Sequence, residues 1–236
     1  MKAKLFLMIA CIAMICMACE PIGGEPNTSN DYVDLGLSSG TKWATCNVGA
    51  KKPYELGDHF AWGETKSKKK YQWDTYSYCK WESNEGYLIS IDKYCTNEDY
   101  GNVDDKKMLE LSDDAACAKL GKAWRIPTKS EFYELHKECK WTWYYSQGLG
   151  GYKVTGPNGN SIFLPAAGYI NDEEEYDERP YAVGWFGAYW SSTLYEKYPD
   201  NAYCLTIFED GDYTFDETNQ RYLGFSIRPV LDEFYR

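Results

Sequence analysis

The stretch from residue 124 to residue 139 constrains the fold most, because it fixes where a helix begins and which face that helix buries. Thr128 and Glu131 have the S/T-x-x-E spacing of a capping box, in which each side chain accepts a hydrogen bond from the other residue's backbone N–H. Behind them, side chains suited to burial recur at i, i+3, i+4 and i+7. They are Phe132, Leu135, His136 and Cys139. The pattern predicts a helix with one buried face.

A second helix and a series of short strands complete the pattern. Residues 112–121 have Ser112 as a helix N-cap and Gly121 as a stop signal. Short alternating or apolar segments bounded by turn residues are typical of strands. The expected strands are 32–37, 41–48, 151–154, 161–169, 189–193, 202–208 and 222–230. Two helices with several short antiparallel strands predict an α+β fold.

The N-terminus predicts export. Lys2 and Lys4 precede the apolar run 5–18, which is shorter than the roughly 20 residues needed to span a bilayer. The run ends at Ala18 before Cys19, which resembles a bacterial lipobox in which Cys19 is lipidated after cleavage. Ordinary signal-peptide cleavage is the alternative. The favoured prediction is a lipoprotein anchored in the outer membrane, facing the periplasm or the cell surface.

These features divide the chain into three parts. Residues 1–18 are the expected signal peptide. Residues 19–30 are polar and contain two prolines and two glycines, as expected of a flexible tether. Residues 31–236 show no further linker and no clear repeat, and so predict a single domain.

Charge and cysteine content narrow the possible partners. The formal net charge of −11 at pH 7 disfavours nucleic acid, because an acidic surface repels phosphates. Six cysteines follow the predicted lipid site, and an even number in an exported chain suggests disulfides whose pairing remains open. These candidates are Cys46, Cys79, Cys95, Cys117, Cys139 and Cys204. Their spacing contains no CxxC, which disfavours a zinc or thioredoxin-like site.

Several segments together resemble a known family. They are YVDLGLSSGTKWATCNVGA, GDHFAWGET, WRIPTKSEFYEL, FLPAAGY, YWSST and GFSIRPV, in order from about residue 31 to residue 230. They resemble the Fibrobacter succinogenes major paralogous domain of exported Bacteroidota and Fibrobacter proteins, which is akin to the DUF1566 group. WRIPTKSEFYEL and GFSIRPV are also similar to segments of formylglycine-generating-enzyme-like domains. The resemblance implies a C-type-lectin-like fold, in which terminal strands pair and two helices flank short, irregular, loop-rich sheets.

Two arginines beside prolines receive a structural interpretation. Arg125 and Arg228 stand in otherwise apolar segments, where a guanidinium can lie against an aromatic ring and bond carbonyls or a carboxylate. Because a buried unpaired charge is costly, we expect Arg125 to pair with Glu131 or Asp114. Four tryptophans of the family motifs are expected to belong to the core. They are Trp43, Trp62, Trp124 and Trp190.

The sequence does not favour catalysis. A His136–Cys139 nucleophile is geometrically conceivable, but Cys139 heads the apolar helix face in an exported chain. The formylglycine-generating enzymes use a pair of cysteines near the C-terminus that binds copper, and only Cys204 follows Cys139 here. The acidic runs 171–178 and 209–217 lack the EF-hand pattern, so calcium binding would be incidental. We expect no enzyme, no cofactor and no dedicated metal site.

Recognition by an aromatic surface is the preferred function. Aromatic residues make up 17% of the chain, and tyrosines in the C-terminal half alternate with polar side chains. Tyrosine offers a large rigid surface with a hydroxyl, which suits binding of proteins or sugars; coverage of a thin core is the alternative. The candidate binding residues are Trp185, Tyr195, Tyr198, Asn201, Tyr213, Asp216, Asn219, Arg221 and Tyr222. The predicted ligand is a glycan or protein; the alternative function is a structural or tip component of a surface or fimbrial assembly.

Overall fold

The computed structural model describes residues 31–82, 88–171, 180–209 and 211–232 of the chain. The predicted signal peptide, the lipid site at Cys19 and the tether lie outside the described residues, as does most of the acidic run 171–178. No helix in the described part of the chain is long and apolar enough to cross a membrane.

Two α-helices, three single-turn 3₁₀-helices and twelve strands form the regular structure in the described part of the chain. The helices are α1 (Ala115–Leu120) and α2 (Lys129–Glu138). The strands are β1 (Tyr32–Asp34), β2 (Lys42–Ala44), β3 (Cys79–Glu82), β4 (Leu88–Ile91), β5 (Trp124–Arg125), β6 (Lys140–Ser146), β7 (Leu149–Thr155), β8 (Ser161–Pro165), β9 (Phe186–Leu194), β10 (Asn201–Phe208), β11 (Tyr213–Gln220) and β12 (Val230–Leu231). Every strand pairing is antiparallel, so the predicted α+β class is confirmed.

The capping box predicted for α2 is present. The Thr128 hydroxyl accepts a hydrogen bond from the Glu131 N–H at 3.1 Å, and the Glu131 carboxylate accepts one from the Thr128 N–H at 2.8 Å. Helix α1 is shorter than predicted, because Asp114 rather than Ser112 caps it by accepting from the Cys117 N–H at 3.0 Å. Gly121 ends α1 at a φ of +95°, as its sequence position predicts.

Strands from both ends of the domain meet in one sheet. Its order is β1-β2-β12-β5, and Val230 near the C-terminus lies opposite both Trp43 and Arg125. The other sheets have the orders β11-β10-β9, β6-β7-β8 and β3-β4. The predicted strand over 222–230 is wrong for most of its length. Within residues 222–229, single residues instead pair with neighbouring segments through isolated β-bridges, such as the one between Phe60 and Phe225.

The core consists of two clusters of buried side chains. One surrounds Trp62, Trp190 and Phe225, and the other surrounds Trp43 and Phe132. The four tryptophans assigned to the core are at most 3% exposed. They are Trp43, Trp62, Trp124 and Trp190.

The two arginines beside prolines are structural. Arg125 binds Glu131 through both arms of its guanidinium, at 2.7 and 2.6 Å, as predicted. Arg228 is fully buried and donates to the Asn47 side-chain oxygen at 2.9 Å and to the carbonyls of Ala44 and Thr45. Burial lowers the pKa of the Arg228 guanidinium below its usual value. Each arginine thus ties segments of the chain together in the way the sequence indicated.

The predicted disulfides are absent, because all six candidate cysteines are free thiols. They lie on different elements: Cys46 after β2, Cys79 on β3, Cys95 after β4, Cys117 on α1, Cys139 at the end of α2 and Cys204 on β10. Several have local contacts instead of a sulfur partner. Cys95 donates to the Asn97 carbonyl at 3.1 Å, and Cys204 accepts from the Asn219 amide at 3.3 Å. The even number of cysteines was therefore a misleading signal for disulfides.

Candidate functional site

The nine predicted binding residues do not form one surface. Trp185 and Tyr198 are 48% and 41% exposed, and Asp216 is also exposed. Tyr195 and Tyr198 lie in the connection between β9 and β10, which places them in a ring cluster with Tyr203 and Tyr100. Asn201, the first residue of β10, is half-buried beside that connection.

Arg221 belongs to the core, which corrects its assignment as a binding residue, whereas Tyr222 is buried but lines the cavity described below. Arg221 is 0% exposed and Tyr222 is 4% exposed. The Arg221 guanidinium lies 4.7 Å from the centre of the Trp62 ring and donates to the Tyr76 hydroxyl at 2.8 Å. It also donates to three backbone carbonyls. The positive charge is therefore stabilised by carbonyl dipoles and by the Trp62 ring inside the protein. These carbonyls belong to Lys93, Tyr94 and Pro199.

Tyr213 lies in a strand rather than in a loop. It begins β11, and its ring stacks on Trp141 at 4.5 Å with an interplanar angle of 11°. The same ring contacts Tyr152 and His136. Partial burial raises the pKa of the Tyr213 hydroxyl. This ring therefore contributes to packing between α2, β6 and β11, and only part of it remains available to a ligand.

A cleft lined largely by aromatic side chains lies among the residues after β8, at the start of β9 and around the end of β11. Its cavity has a volume of about 270 Å³. The lining residues combine rings with side-chain amides: Tyr169, Asn171, Phe186, Asn219, Gln220, Tyr222, Leu223 and Phe225. Two predicted residues, Asn219 and Tyr222, thus reach the cleft. Among the described residues that line it there is no charged side chain, histidine or cysteine.

A chain of ring contacts extends the cleft to the surface. Trp185 contacts Tyr181 at 6.2 Å between ring centres, and Tyr181 contacts Tyr169 at 5.6 Å. Tyr169 in turn contacts Phe186 at 5.6 Å. Trp185 and Tyr181 are 48% and 50% exposed, so two large rings are presented to solvent beside an amide-lined cavity. We call these residues and the lining residues together the aromatic cleft.

Backbone pairing fixes the walls of the aromatic cleft. Tyr169 and Tyr181 exchange backbone hydrogen bonds at 3.1 and 2.7 Å, and Ile170 and Gly224 do so at 2.9 Å. Gly168 adopts a φ of +70°, and an added Cβ there would lie only 2.1 Å from the Tyr181 carbonyl oxygen. Only glycine permits this approach.

His59 supports the backbone behind the aromatic cleft. Its Nε2 lies 3.1 Å from the Ala167 carbonyl oxygen, which fits an Nε2–H that donates to that oxygen. Burial lowers the pKa of the His59 imidazole to about 4, so the ring is neutral at pH 7. His59 thereby joins the segment that precedes Tyr169 to the segment that contains Phe60.

The side chains considered for nucleophilic chemistry lie in packed surroundings. Burial raises the pKa of the Cys139 thiol to about 11, helped by the nearby carboxylates of Glu138 and Glu134. A thiol with so high a pKa is a poor nucleophile at neutral pH. The His136 ring packs against Phe215 at 4.5 Å. Within the described residues, no group of three or more histidine, cysteine or acidic side chains is placed to hold a metal ion.

Seven of the ten described residues that form the aromatic cleft are not among the binding residues predicted from the sequence. Tyr169 ends the predicted strand 161–169, and Asn171 begins the acidic run 171–178, for which the sequence suggested only incidental calcium binding. Tyr181 has a usable signal, because it lies four residues before Trp185, which the sequence predicts to bind. No local sequence signal predicts that these segments meet, because backbone hydrogen bonds between segments distant in sequence bring them together.

Comparison with known families gives one match. A family model described as a domain of unknown function (DUF8237) matches residues 128–230, from the N-cap of α2 to the first residue of β12. Neither the curated proteins nor the solved structures contain a match to the chain. The matched stretch includes every described residue of the aromatic cleft.

Proposed function

We propose that this protein is a non-catalytic lipoprotein of the cell envelope that binds a glycan in the aromatic cleft. The observation that carries the proposal is the combination of two half-exposed rings, Trp185 and Tyr181, with a cavity lined by rings and amides. The lipid anchor at Cys19 and the outer-membrane location remain predictions from the N-terminal sequence.

The chemistry of the aromatic cleft suits a sugar. The C–H faces of a pyranose ring are weakly apolar and pack on aromatic rings, while its hydroxyls both donate and accept hydrogen bonds. The lining residues Asn171, Asn219 and Gln220 carry amides, a group that contains both an acceptor oxygen and N–H donors. The Asn219 amide also donates to the Cys204 sulfur at 3.3 Å. Concave sites in which aromatic side chains are combined with a few well-placed polar groups are typical of small-ligand sites. A neutral, hydroxyl-rich ligand therefore fits better than an anion in this acidic chain.

We further propose a C-type-lectin-like fold and membership of the group that contains the Fibrobacter succinogenes major paralogous domain. The pairing of β12 near the C-terminus with β2 near the start of the domain supports the fold proposal. So do the two short helices and the small antiparallel sheets. The six sequence motifs support the family proposal.

A glycan array followed by calorimetry with the purified protein tests the function. We expect Trp185→Ala and Tyr181→Ala to weaken binding of the selected glycan about tenfold or more, which corresponds to about 1.4 kcal/mol. Because both side chains are half-exposed, their removal should leave the melting temperature nearly unchanged.

Two control variants locate the binding site. Tyr133→Ala removes a ring of matched exposure, 48%, from α2 and should not change the affinity. Tyr198→Ala removes a ring from the cluster at the β9–β10 connection. Loss of binding with Tyr198→Ala but not with Trp185→Ala would move the site away from the aromatic cleft. No binding to any glycan, together with recovery of a fimbrial subunit, would favour the structural alternative.

A further inference from the structure

Strand β6 is an open edge of its sheet. It is the outer strand of the sheet β6-β7-β8, and among the described residues it pairs only with β7. At seven residues it is longer than the strands of the terminal sheet. An unpaired edge presents a row of backbone N–H and C=O groups that can pair with another strand.

The hairpin geometry identifies which backbone groups point outward. Gln147 and Gly148 connect β6 to β7 with φ values of +53° and +85°, as in a two-residue type I′ turn. The residues that flank such a turn, Ser146 and Leu149, form a hydrogen-bonded pair. Hydrogen-bonded and non-bonded pairs alternate along the hairpin, so every second residue of β6 directs its N–H and C=O away from β7. The outward residues are Trp141, Trp143 and Tyr145.

The composition of β6 leaves this edge unprotected. Soluble proteins usually guard an edge with proline, inward-pointing charge or a bulge. Strand β6 has the sequence KWTWYYS, with no proline, no acidic residue and one lysine at its start. Its Tyr144 and Tyr145 are 39% and 54% exposed. The chain has a formal net charge of −11, yet β6 itself contains no carboxylate, which favours the approach of a second copy along this edge. The Glu209 carboxylate lies beside the edge, where it accepts a hydrogen bond from the Tyr145 hydroxyl.

Other outer strands carry features that oppose self-pairing. Strand β11 is the edge of the sheet β11-β10-β9 and contains Asp216 and Glu217. A full-length antiparallel pairing of β11 with itself would place Asp216 opposite Glu217 of the second copy, and opposed like charges are destabilising. Strand β8 ends in Pro165, which lacks a backbone donor.

We propose that two copies of this chain associate by antiparallel pairing of β6 with β6, which joins two three-stranded sheets into one of six strands. The register with full overlap places Trp143 opposite itself and Trp141 opposite Tyr145. All of these residues direct their backbone N–H and C=O groups away from β7. Every backbone group that is unpaired along the β6 edge therefore gains a hydrogen-bond partner in the second copy. Lys140 then lies opposite Ser146, and no like charges oppose each other. Aromatic side chains face one another across the new strand pair, which stabilises sheets.

Charge reversal across the strand pair gives a sharp test. In this register Thr142 lies opposite Tyr144 of the second copy, and both side chains are solvent-exposed. Wild-type protein should show a concentration-dependent dimer mass by size-exclusion chromatography with light scattering. The variants Thr142→Glu/Tyr144→Glu and Thr142→Lys/Tyr144→Lys should each be monomeric, because like charges then oppose each other twice. An equimolar mixture of the two should form a heterodimer.

Two further measurements separate pairing from misfolding and from a general charge effect. The variant Ser67→Glu/Asn102→Glu adds the same charge at exposed positions elsewhere and should remain dimeric. In hydrogen exchange, the amides of residues 141, 143 and 145 should become protected as the protein concentration rises. Wild-type protein that stays monomeric at about 100 µM, a concentration well above a micromolar Kd, would overturn the proposal. So would a dimer that survives in both charged variants.

Discussion

Replacing Arg221 distinguishes a core residue from a ligand-binding one. The sequence favours a binding role for Arg221, whereas the structure places its guanidinium at 0% exposure. The proposed change is Arg221→Met, because methionine retains an unbranched apolar stem beside Trp62 and Tyr76. The substitution removes every donor of the guanidinium while it changes the packing as little as possible.

The magnitude follows from the groups that lose their partner. Arg221 donates to the carbonyl oxygens of Pro199, Lys93 and Tyr94, at 2.8, 3.0 and 3.2 Å. A buried acceptor that loses its donor costs about 1–3 kcal/mol. At the low end of that range, three carbonyls give a loss of about 3 kcal/mol in the free energy of unfolding. That is a large fraction of the roughly 5–15 kcal/mol by which a domain is stable.

Urea unfolding followed by tryptophan fluorescence measures the effect. We expect a clear fall of the midpoint for Arg221→Met with an unchanged slope. Lys107→Met provides the control, because it also removes a cation, but from an ion pair with Glu196 in which both side chains are about half-exposed. This control should leave the midpoint unchanged. A loss below about 1 kcal/mol for Arg221→Met, or lost glycan binding at full stability, would refute the structural role of Arg221.

Two smaller predictions concern the capping box and the support behind the aromatic cleft. Thr128→Ala removes the acceptor for the Glu131 N–H and should lower the free energy of unfolding by about 1 kcal/mol, measured by urea unfolding. Ser130→Ala removes an exposed hydroxyl from the same helix turn and is the control; equal effects would contradict the capping argument. His59 has a pKa of about 4 in the folded protein against 6.5 for the free side chain, so the unfolded chain binds more protons in between. Stability should therefore fall as the pH is lowered from 6.5 to 4, and His59→Gln should flatten that part of the profile; an unchanged slope in the variant would contradict the assignment.

The sequence predicts the elements whose signals are local. The capping box of Thr128 and Glu131 lies within four residues and specifies the start of α2. The same glutamate then binds Arg125 six residues earlier, a partnership that the sequence also indicated. Such features depend on spacing along the chain, and tertiary contacts strengthen rather than replace them.

The predictions that fail depend on contacts between distant segments. Arg221 follows a polar strand and resembles a surface residue in sequence, yet its guanidinium reaches carbonyls more than 120 residues away in the chain. Strand β11 was not predicted because its sequence, YTFDETNQ, is mostly polar. It forms a strand through backbone pairing with β10, which has no signal within the β11 sequence. Cysteine parity likewise carries no information about which thiols approach each other.

Residues 221–225 supply both the buried Arg221 and part of the lining of the aromatic cleft. After β11 the chain passes through Arg221, whose guanidinium joins the backbone near Lys93 to the backbone near Pro199. The next residues, Tyr222, Leu223 and Phe225, line the aromatic cleft, and Gly224 pairs with Ile170 on its opposite wall. A rigid anchor directly before the lining residues reduces the conformational freedom that a ligand would otherwise have to restrict. In the proposed glycan site, Arg221 therefore acts as a positioning residue that preorganises the aromatic cleft without lining it.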